Sequence, residues 1–420
     1  MLAKELDTLL SCSRPLKGPR TIVALLLAAV FLSAVSEGAE RQKRFLYNTD
    51  GNNMFLYGDY PMKPADVYRY VDEIAAAGIT TLSISCHVGM DMNYQGEHAD
   101  LYGSHPTPEE AERLKNPEES AVLSAERTVS NFRALIAEGH DPLGLIVSRS
   151  LDQGMETFIS FRLNEVHSVD KPPSMILSKF WMAHPEWRVA EIGDEIPQNY
   201  LDIVGPRANP IVAGWFAGGL NFAVPEVRAR KLAQLREICE RYPIDGLELD
   251  FQRFPIYFPF GEEKENIPVM TDWIREVRSM LKEVGAQRGK PFHLTARIMA
   301  RPEQNAGVGL DPVTWAEEGL IDSVTAANFL RNDYPIPVEA YRKRFPDTLP
   351  IYASIEVERE PDTYRAIAQA LWAENVDGIM MFNHFTSREG GVEPNFDVLP
   401  ELGGPAARVD RTSSPRSSEE

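Results

Sequence analysis

The sequence predicts an α/β protein, a (β/α)8 TIM barrel with long loop insertions after the second and third strands. Short β-like runs alternate with amphipathic helical segments between Arg44 and Leu402, which is the pattern of a parallel sheet. Eight strand-helix units can be counted, the number that closes a barrel. The chain of 420 residues is also long enough for one barrel of roughly 250 to 350 residues with elaborated loops.

The predicted elements follow one another in a regular order. The eight strands are predicted over residues 45–49, 81–86, 155–164, 246–251, 292–298, 323–329, 351–356 and 378–382. Helices are predicted from Pro64 to the stop at Gly78, over 142–153, from Pro225, around 273–281 and over 362–374. Residues 88–120 are too long for a plain connection, so we expect them to form part of the rim of a site, and a second long insertion follows from 165 to 219.

The fourth predicted strand carries acidic residues on one face only. Its odd-numbered residues over 247–252 are apolar, whereas Glu248, Asp250 and Gln252 alternate with them and point to the other side. In a barrel, the apolar face packs against the helices and the acidic face points to the interior. Asp250 is therefore the first candidate for a catalytic residue, and Glu248, one pleat deeper, is predicted to orient its neighbours.

A second candidate acid, Glu356, ends the seventh predicted strand. Active sites of such barrels lie at the carboxyl ends of the strands, so Glu356 is predicted to face Asp250 across the mouth. Each acid also has a structural interpretation. Asp250 can form an ion pair with Arg253 or Arg297, and Glu356 can form one with Arg297 or Arg162.

Further polar and aromatic residues lie near strand ends, where they suit contacts with sugar hydroxyl groups and rings. The complete set of predicted substrate-binding residues is Arg162, Asn164, Trp215, Glu248, Arg253, Arg297, Asn328, Asn383 and His384. Trp215 stands in a glycine-rich stretch whose small neighbours can leave its ring open for stacking. Packing at the barrel mouth, or in the core for Trp215, is the alternative interpretation of these residues.

The sequence predicts neither a metal nor a cofactor. Its His and Cys residues lack zinc-ligand spacing, and the first strand ends in Tyr-Asn-Thr-Asp at 47–50 rather than in a His-x-His pair, which disfavours a metal-dependent hydrolase. Cys86 and Cys239 fall on apolar patterns and are predicted to be buried without a disulfide. The net charge of −19 argues against nucleic acid and anionic membrane surfaces as partners. The oligomeric state is left open.

The amino terminus has the pattern of an export signal. Lys17 and Arg20 precede an apolar run over 21–34, and small residues follow at Ser36, Gly38 and Ala39. We therefore expect a signal peptide over 1–39, a barrel domain over 40–402 and a disordered tail over 403–420. A periplasmic or extracellular location without a membrane partner after cleavage follows from this assignment. A signal anchor and an upstream start-site error are the alternatives.

Two segments resemble the signature of the glycosyl-hydrolase-like family 10 proteins. Residues 221–228 read NFAVPEVR and residues 241–255 read RYPIDGLELDFQRFP, where that family has an NPEVR helix start followed by a YDVDGIHFDDYRYP strand. The His-Pro-Glu-Trp stretch at 184–187 is also similar to the family. The resemblance implies a bacterial, exported TIM-barrel protein that acts on polysaccharide.

The resemblance places the family's strand-four aspartate on Asp250, and its Arg and Pro on Arg253 and Pro255. The chain has Glu248 where the family has His and Gln252 where it has Tyr. It also lacks the Asn-Glu pair that marks strand four in the large retaining barrel clan. Substrate identity is therefore not carried over from the family.

The leading functional hypothesis is a secreted glycoside hydrolase with a carbohydrate substrate. Glycosidic cleavage needs one carboxylic acid that protonates the leaving oxygen and one carboxylate that attacks the anomeric carbon or activates water. Asp250 and Glu356 are the predicted pair, and Glu248 with Asp250 is a second pairing. The alternative from another class is a non-catalytic glycan-binding barrel, because the fold alone does not establish activity.

Overall fold

A closed barrel of eight parallel strands forms the centre of the molecule, as the sequence predicts. The computed structural model describes residues 41–121, 124–205, 210–356, 358, 360–385 and 392–404. The strands are β1 (Arg44–Thr49), β2 (Thr81–Ser85), β3 (Glu156–Arg162), β4 (Gly246–Asp250), β5 (His293–Met299), β6 (Ser323–Ala327), β7 (Ile351–Ile355) and β8 (Gly378–Phe382). Each strand pairs with the next one along the chain, and β8 pairs with β1.

Helices surround the barrel. The longer helices are Pro64–Ala76, Ala125–Ala137, Pro142–Asp152, Pro225–Arg241, Ile267–Arg288 and Pro361–Ala373. The shorter helices are Asn53–Tyr57, Pro108–Arg113, Lys179–Ala183, Gln198–Val204, Pro210–Gly214, Pro302–Gly307, Pro312–Glu317 and Val338–Arg342. Many begin with Pro, whose missing N–H costs nothing in the first turn. The described residues after β8 include a 3-10 segment, Phe396–Glu401.

The two long insertions occur where the sequence predicts them, but they contain more regular structure than a rim loop. The insertion after β2 forms a short hairpin, His87–Val88 with Asp91–Met92, and then the helices Pro108–Arg113 and Ala125–Ala137. These elements are not predicted from the sequence, because they are short or follow a long polar stretch. Three short helices, the first at Lys179–Ala183, belong to the insertion after β3.

The interior of the barrel is layered from its amino-terminal end to its mouth. Arg44 lies lowest, where its Nε contacts Glu156 at 2.6 Å and its Nη1 donates to Tyr352 at 2.8 Å. A small apolar group that includes Leu46 and Met380 lies inside the barrel above it. Polar residues fill the interior toward the carboxyl ends of the strands, because β4 turns its acidic face inward and its leucines toward the helices. The mouth is therefore the polar end.

Two predictions about single residues are confirmed, and others lie outside the described part. Cys86 and Cys239 are both buried and free. Among the described residues, none of the helices combines the length and the apolar character that a membrane span requires. The predicted signal peptide, 1–39, lies outside the described residues, as do residues 405–420 of the predicted tail.

Candidate active site

One guanidinium group joins the two predicted catalytic carboxylates. Asp250 ends β4 and lies in register with Arg297 of β5. Arg297 Nη1 contacts the two carboxylate oxygens of Asp250 at 3.1 and 3.3 Å, and Arg297 Nη2 donates to Glu356 Oε1 at 2.9 Å. The structure therefore brings Asp250, Glu356 and Arg297 together at the mouth. The same contacts are the ion pairs that the sequence analysis gives as the alternative interpretation of both acids.

Backbone donors hold the Asp250 carboxylate in one orientation. Its Oδ1 accepts hydrogen bonds from the backbone N–H groups of Gln252 at 2.9 Å and Arg253 at 3.1 Å. The chain then turns sharply, since Phe254 has a positive φ of 52°. The carboxylate is fully buried, so these fixed donors replace the water that would otherwise solvate it.

Arg297 and Glu356 are positioned by neighbours on strands β7 and β8 and in the loop after β6. The Arg297 guanidinium lies over the ring of Phe382, 3.7 Å from its centroid, which is a cation–π contact. Ser354 donates to Glu356 Oε1 at 3.3 Å, and Asn332 accepts the backbone N–H of Glu356 at 2.9 Å. Asn332 was missed from sequence, since it lies in the loop after β6 and has no strand pattern.

Burial raises the pKa of the Glu356 carboxyl to about 7. The positive charges of Arg297 and Arg253 act in the opposite direction but do not outweigh the loss of water, and the charge of Asp250 adds to the increase. Near neutral pH, Glu356 therefore exists in both its acid and its carboxylate form. A carboxyl group of this kind can give up a proton during a reaction.

Glu248 lies one layer below Asp250, and its carboxyl group also has a raised pKa. Its Oε1 accepts hydrogen bonds from Asn48 Nδ2 at 2.6 Å and Ser160 Oγ at 2.8 Å, whereas its Oε2 meets no hydrogen-bond partner in the part of the chain that the structure describes. Burial, followed by the charge of Asp250, raises the pKa of Glu248 to about 7. The structure thus places Glu248 in a buried polar network directly beneath Asp250.

We expect Glu248→Gln to stabilise the protein more at pH 8 than at pH 5. An unfolded Glu titrates near pH 4.3, so the folded state binds more protons than the unfolded state between that pH and about 7. The free energy of unfolding therefore falls as the pH rises through this window. Gln keeps an oxygen that accepts hydrogen bonds from Asn48 and Ser160, but it does not titrate. The free energy of unfolding of the variant therefore does not fall in this way as the pH rises.

Thermal melts of wild type and variant at both pH values measure this effect. The exposed Glu276→Gln change on helix Ile267–Arg288 is the control, for which we expect equal shifts at pH 5 and pH 8. A melting-temperature difference between Glu248→Gln and wild type that is the same at the two pH values would contradict a raised pKa of Glu248 in the folded protein.

A series of contacts between polar and charged side chains lies beside the carboxylate pair. Arg162 donates to Asp50 Oδ1 at 2.5 Å and to Glu165 Oε2 at 2.7 Å. The other oxygen of Glu165 contacts His167 Nδ1, and His167 Nε2 lies 2.9 Å from Arg253 Nη2. Arg162 and Arg253, both predicted from sequence, are thereby linked. This series of contacts ends at Arg253, next to Asp250.

Glu165 was missed as a site residue in the sequence analysis, although it follows β3 and stands two residues before His167. Its burial acts to raise its pKa, but His167 and Arg162 outweigh that effect and lower the pKa far below its ordinary range. Glu165 is therefore a permanent negative charge in the mouth. Its position next to a strand end is the signal that could have identified it.

The other predicted polar residues contact the barrel rim rather than the carboxylate pair. Asn164 donates to the backbone oxygens of Leu220 and Ile256 and accepts the N–H of Leu220 at 3.0 Å. Asn328 donates to the backbone oxygen of Asp333 at 2.8 Å. These bonds hold the insertion after β3 and the loop after β6, and a role for Asn164 or Asn328 in substrate binding stays a prediction.

Asn383 and His384 follow β8. The backbone N–H of Asn383 donates to the backbone oxygen of Asn48 at 3.2 Å, while its side-chain oxygen is buried and has no partner within the described ranges. His384 Nδ1 lies 3.1 Å from the hydroxyl group of Tyr364. Burial lowers the pKa of His384 to about 4, so its ring is neutral at physiological pH.

Trp215 is half-buried at the rim, and its indole N–H donates to Asp170 at 2.7 Å. Its ring meets that of His167 edge-on, with 5.5 Å between the centroids. Trp215 therefore lies next to the series of contacts that ends at Arg253. Within the described part of the chain, His, Cys, Asp and Glu side chains form no group of three or more that could hold a metal ion.

Comparisons with known proteins add no family assignment. No family model matches the chain, so the resemblance to the glycosyl-hydrolase-like family 10 proteins is not confirmed. No curated protein matches either.

Solved structures with a similar course of the chain include glycoside hydrolases of several kinds. The PgaB (BpsB) glycoside hydrolase domain from Bordetella bronchiseptica is 8% identical, with 86% of this chain and 98% of that chain covered and a TM-score of 0.48. A maltogenic α-amylase, AmyB from Thermotoga neapolitana, is 11% identical, with coverages of 85% and 75% and a TM-score of 0.44. The endo-1,4-β-mannanase from Rhizomucor miehei is 11% identical, with coverages of 81% and 85% and a TM-score of 0.43. With TM-scores below 0.5, these likenesses carry no conclusion about the family or the activity of this chain.

Proposed function

We propose that the protein is a glycoside hydrolase that cleaves a polysaccharide or oligosaccharide with two carboxylates, Asp250 and Glu356. One observation carries the proposal: two acids from strands on different sides of the barrel meet at one guanidinium group in the mouth, and the pKa of one of them is about 7. Glycosidic cleavage requires a protonated acid and an ionised carboxylate on either side of the scissile bond.

We assign the role of general acid to Glu356 and that of nucleophile or base to Asp250. The raised pKa of Glu356 lets it hold a proton near neutral pH and release it to the leaving oxygen. Asp250 accepts two backbone N–H groups and contacts Arg297, which fixes its oxygens and offsets its charge. Arg297 is a positioning residue in this scheme, because it orients both carboxylates.

A screen of the mature protein against a panel of polysaccharides, with reducing ends as the readout, tests the proposal. Release of reducing ends that is lost in Asp250→Asn supports hydrolysis. The ion pairs of Arg297 with both acids also suit a glycan-binding barrel without catalysis, in which the acids are structural. Saturable saccharide binding without any release of reducing ends would favour that alternative.

We expect hydrolysis to proceed with retention of the anomeric configuration. Asp250 and Glu356 contact neighbouring nitrogens of one guanidinium group, which favours the spacing of about 5 Å that double displacement uses over the wider spacing that leaves room for an attacking water. Proton NMR of the first-formed product identifies its anomer. An initially inverted product would assign water activation to one of the acids instead.

We also propose that the protein is exported. The basic residues Lys17 and Arg20, the apolar run over 21–34 and the small residues after it support this, and we expect the mature chain to begin between residues 35 and 42. Amino-terminal sequencing of the native protein measures the cleavage point. Soluble cytoplasmic protein with an intact Met1 would exclude export.

A further inference from the structure

Arg253 is a buried cation with unused hydrogen-bond donors. Its side chain lies beside the carboxylate pair, because its own backbone N–H donates to Asp250. The residue is only 7% exposed. One of its three guanidinium nitrogens, Nη2, contacts His167, whereas Nε and Nη1 are buried and have no hydrogen-bond partner among the described residues. Unpaired donors of a buried charged group are costly, so their presence next to a reaction centre calls for a ligand.

The other two arginines of the mouth have acidic partners. Arg162 contacts Asp50 and Glu165, and Arg297 contacts Asp250 and Glu356. In the described part of the chain, Arg253 forms no ion pair with a carboxylate.

The one side-chain partner of Arg253 does not neutralise its charge. A carboxylate has no proton to give, so the nitrogen of His167 that contacts Glu165, Nδ1, carries the proton. The other nitrogen, Nε2, is then the acceptor for Arg253 Nη2, and the imidazole is neutral. Burial lowers the pKa of Arg253, and the charge of Arg162 adds to this, although Glu165, Asp50 and Asp250 act in the opposite direction. An additional anion at Arg253 would relieve the cost of this buried charge.

The surroundings of Arg253 suit a sugar ring. Its guanidinium carbon lies 5.3 Å from the centroid of the Phe254 ring, and both Phe254 and Trp215 contact the ring of His167. Trp215 and His167 are partly exposed, so this aromatic group reaches the surface beside the mouth. Aromatic faces stack on apolar ring surfaces, and a guanidinium group binds carboxylate or sulfate oxygens through charge-assisted hydrogen bonds.

We propose that Arg253 binds an anionic substituent of the substrate, either a uronate carboxylate or a sulfate ester, on a sugar next to the scissile bond. This inference rests on the proposed glycosidase function and narrows its substrate to acidic glycans. A neutral sugar in the same place would leave the Arg253 charge without a counter-ion, which is the basis for discrimination.

The test compares one polymer in two chemical forms. Wild-type protein is assayed on a polyuronate and on the same polymer after its carboxyl groups are reduced to primary alcohols, and likewise on a sulfated polysaccharide and on its desulfated form. We expect kcat/KM on one of the anionic polymers to exceed that on its neutral counterpart by about ten- to a hundredfold, the range of a hydrogen bond to a charged group. Preference for the uronate or the sulfated polymer identifies the anion.

Variants locate the preference in one side chain. Arg253→Gln is expected to reduce the ratio of kcat/KM on the anionic polymer to that on the neutral polymer at least tenfold. Arg253→Lys keeps the charge but not the planar guanidinium group, so we expect its ratio to lie between those of wild type and Arg253→Gln. Arg301→Gln removes an exposed positive charge after β5 and is expected to keep the wild-type ratio. Circular dichroism of each variant establishes that it is folded.

The outcomes separate this inference from the proposed function. Equal cleavage of the anionic and the neutral form of both polymers by wild-type protein overturns the role of Arg253 and leaves the hydrolase in place. Absence of any cleavage refutes the hydrolase, and calorimetric titration with the acidic and the reduced oligosaccharides then decides whether the anion site exists. Equal affinity for the two forms would exclude it, and at least tenfold tighter binding of the acidic form would support it.

Discussion

Replacing Asp250 by Asn is expected to reduce kcat/KM for the polysaccharide by a factor of about 10³ or more while the barrel stays folded. The amide has the volume of the carboxylate and its oxygen can still accept the N–H groups of Gln252 and Arg253. It cannot attack the anomeric carbon or take up a proton, and it carries no charge to stabilise the positive charge that develops on the sugar. Initial rates of reducing-end release measure the loss.

The control for this experiment is the same chemical change at a distant acid. Asp272 lies on the exposed side of helix Ile267–Arg288, and we expect Asp272→Asn to keep wild-type activity. Circular dichroism and thermal melts show whether the barrel of each variant is folded. Hydrolysis by folded Asp250→Asn at a rate near that of wild type would remove Asp250 from the mechanism.

Replacing Glu356 by Gln is expected to reduce kcat/KM by about 10² to 10⁴ on substrates with a sugar leaving group. If Glu356 donates a proton, the rate requires its acid form, whose population falls as the pH rises through about 7. The wild-type profile of kcat/KM should therefore decline on its alkaline side near this pH. The residual activity of Glu356→Gln should lack that decline, because an amide does not titrate.

The leaving group distinguishes a general acid from a structural residue. An aryl glycoside with a strongly acidic phenol needs no protonation, so we expect Glu356→Gln to recover most of its activity on this substrate, whereas Asp250→Asn should not. Glu248 has a raised pKa too, and Glu248→Gln serves as the control that keeps the alkaline decline. Loss of the decline in Glu248→Gln rather than in Glu356→Gln would transfer the acid role to the lower carboxyl group.

The barrel and the inward face of its strands could be predicted from the amino-acid pattern. All eight predicted strands agree with the observed bounds within two residues, and the predicted helices over 142–153 and 362–374 agree within one. These features can be predicted because they depend on local patterns: alternation with period two for strands, apolar spacings of three and four for helices, and stop signals such as Gly78. The acidic inward face of β4 follows from the same alternation.

Which side chains contact one another in the mouth could not be predicted in this way, because it depends on the folded chain. Arg297 lies 47 residues from Asp250 and 59 from Glu356 along the chain, so the choice of its partners depends on strand register and side-chain reach. The same applies to Asn332, whose loop has no periodic pattern, and to Glu165, which is paired with Arg162 across the turn that follows β3.

The pKa of each buried acid could not be predicted from the sequence either. Glu356 and Glu165 are both buried acids near strand ends, yet the pKa of the first is raised to about 7 and that of the second is lowered far below its ordinary range. Both lose water, and they differ in their neighbours: the contacts of Glu165 with His167 and Arg162 outweigh burial, whereas the contact of Glu356 with Arg297 does not. A pKa depends on solvent exclusion and on the positions of nearby charges, and the folded chain sets both of these by joining residues that are distant in sequence.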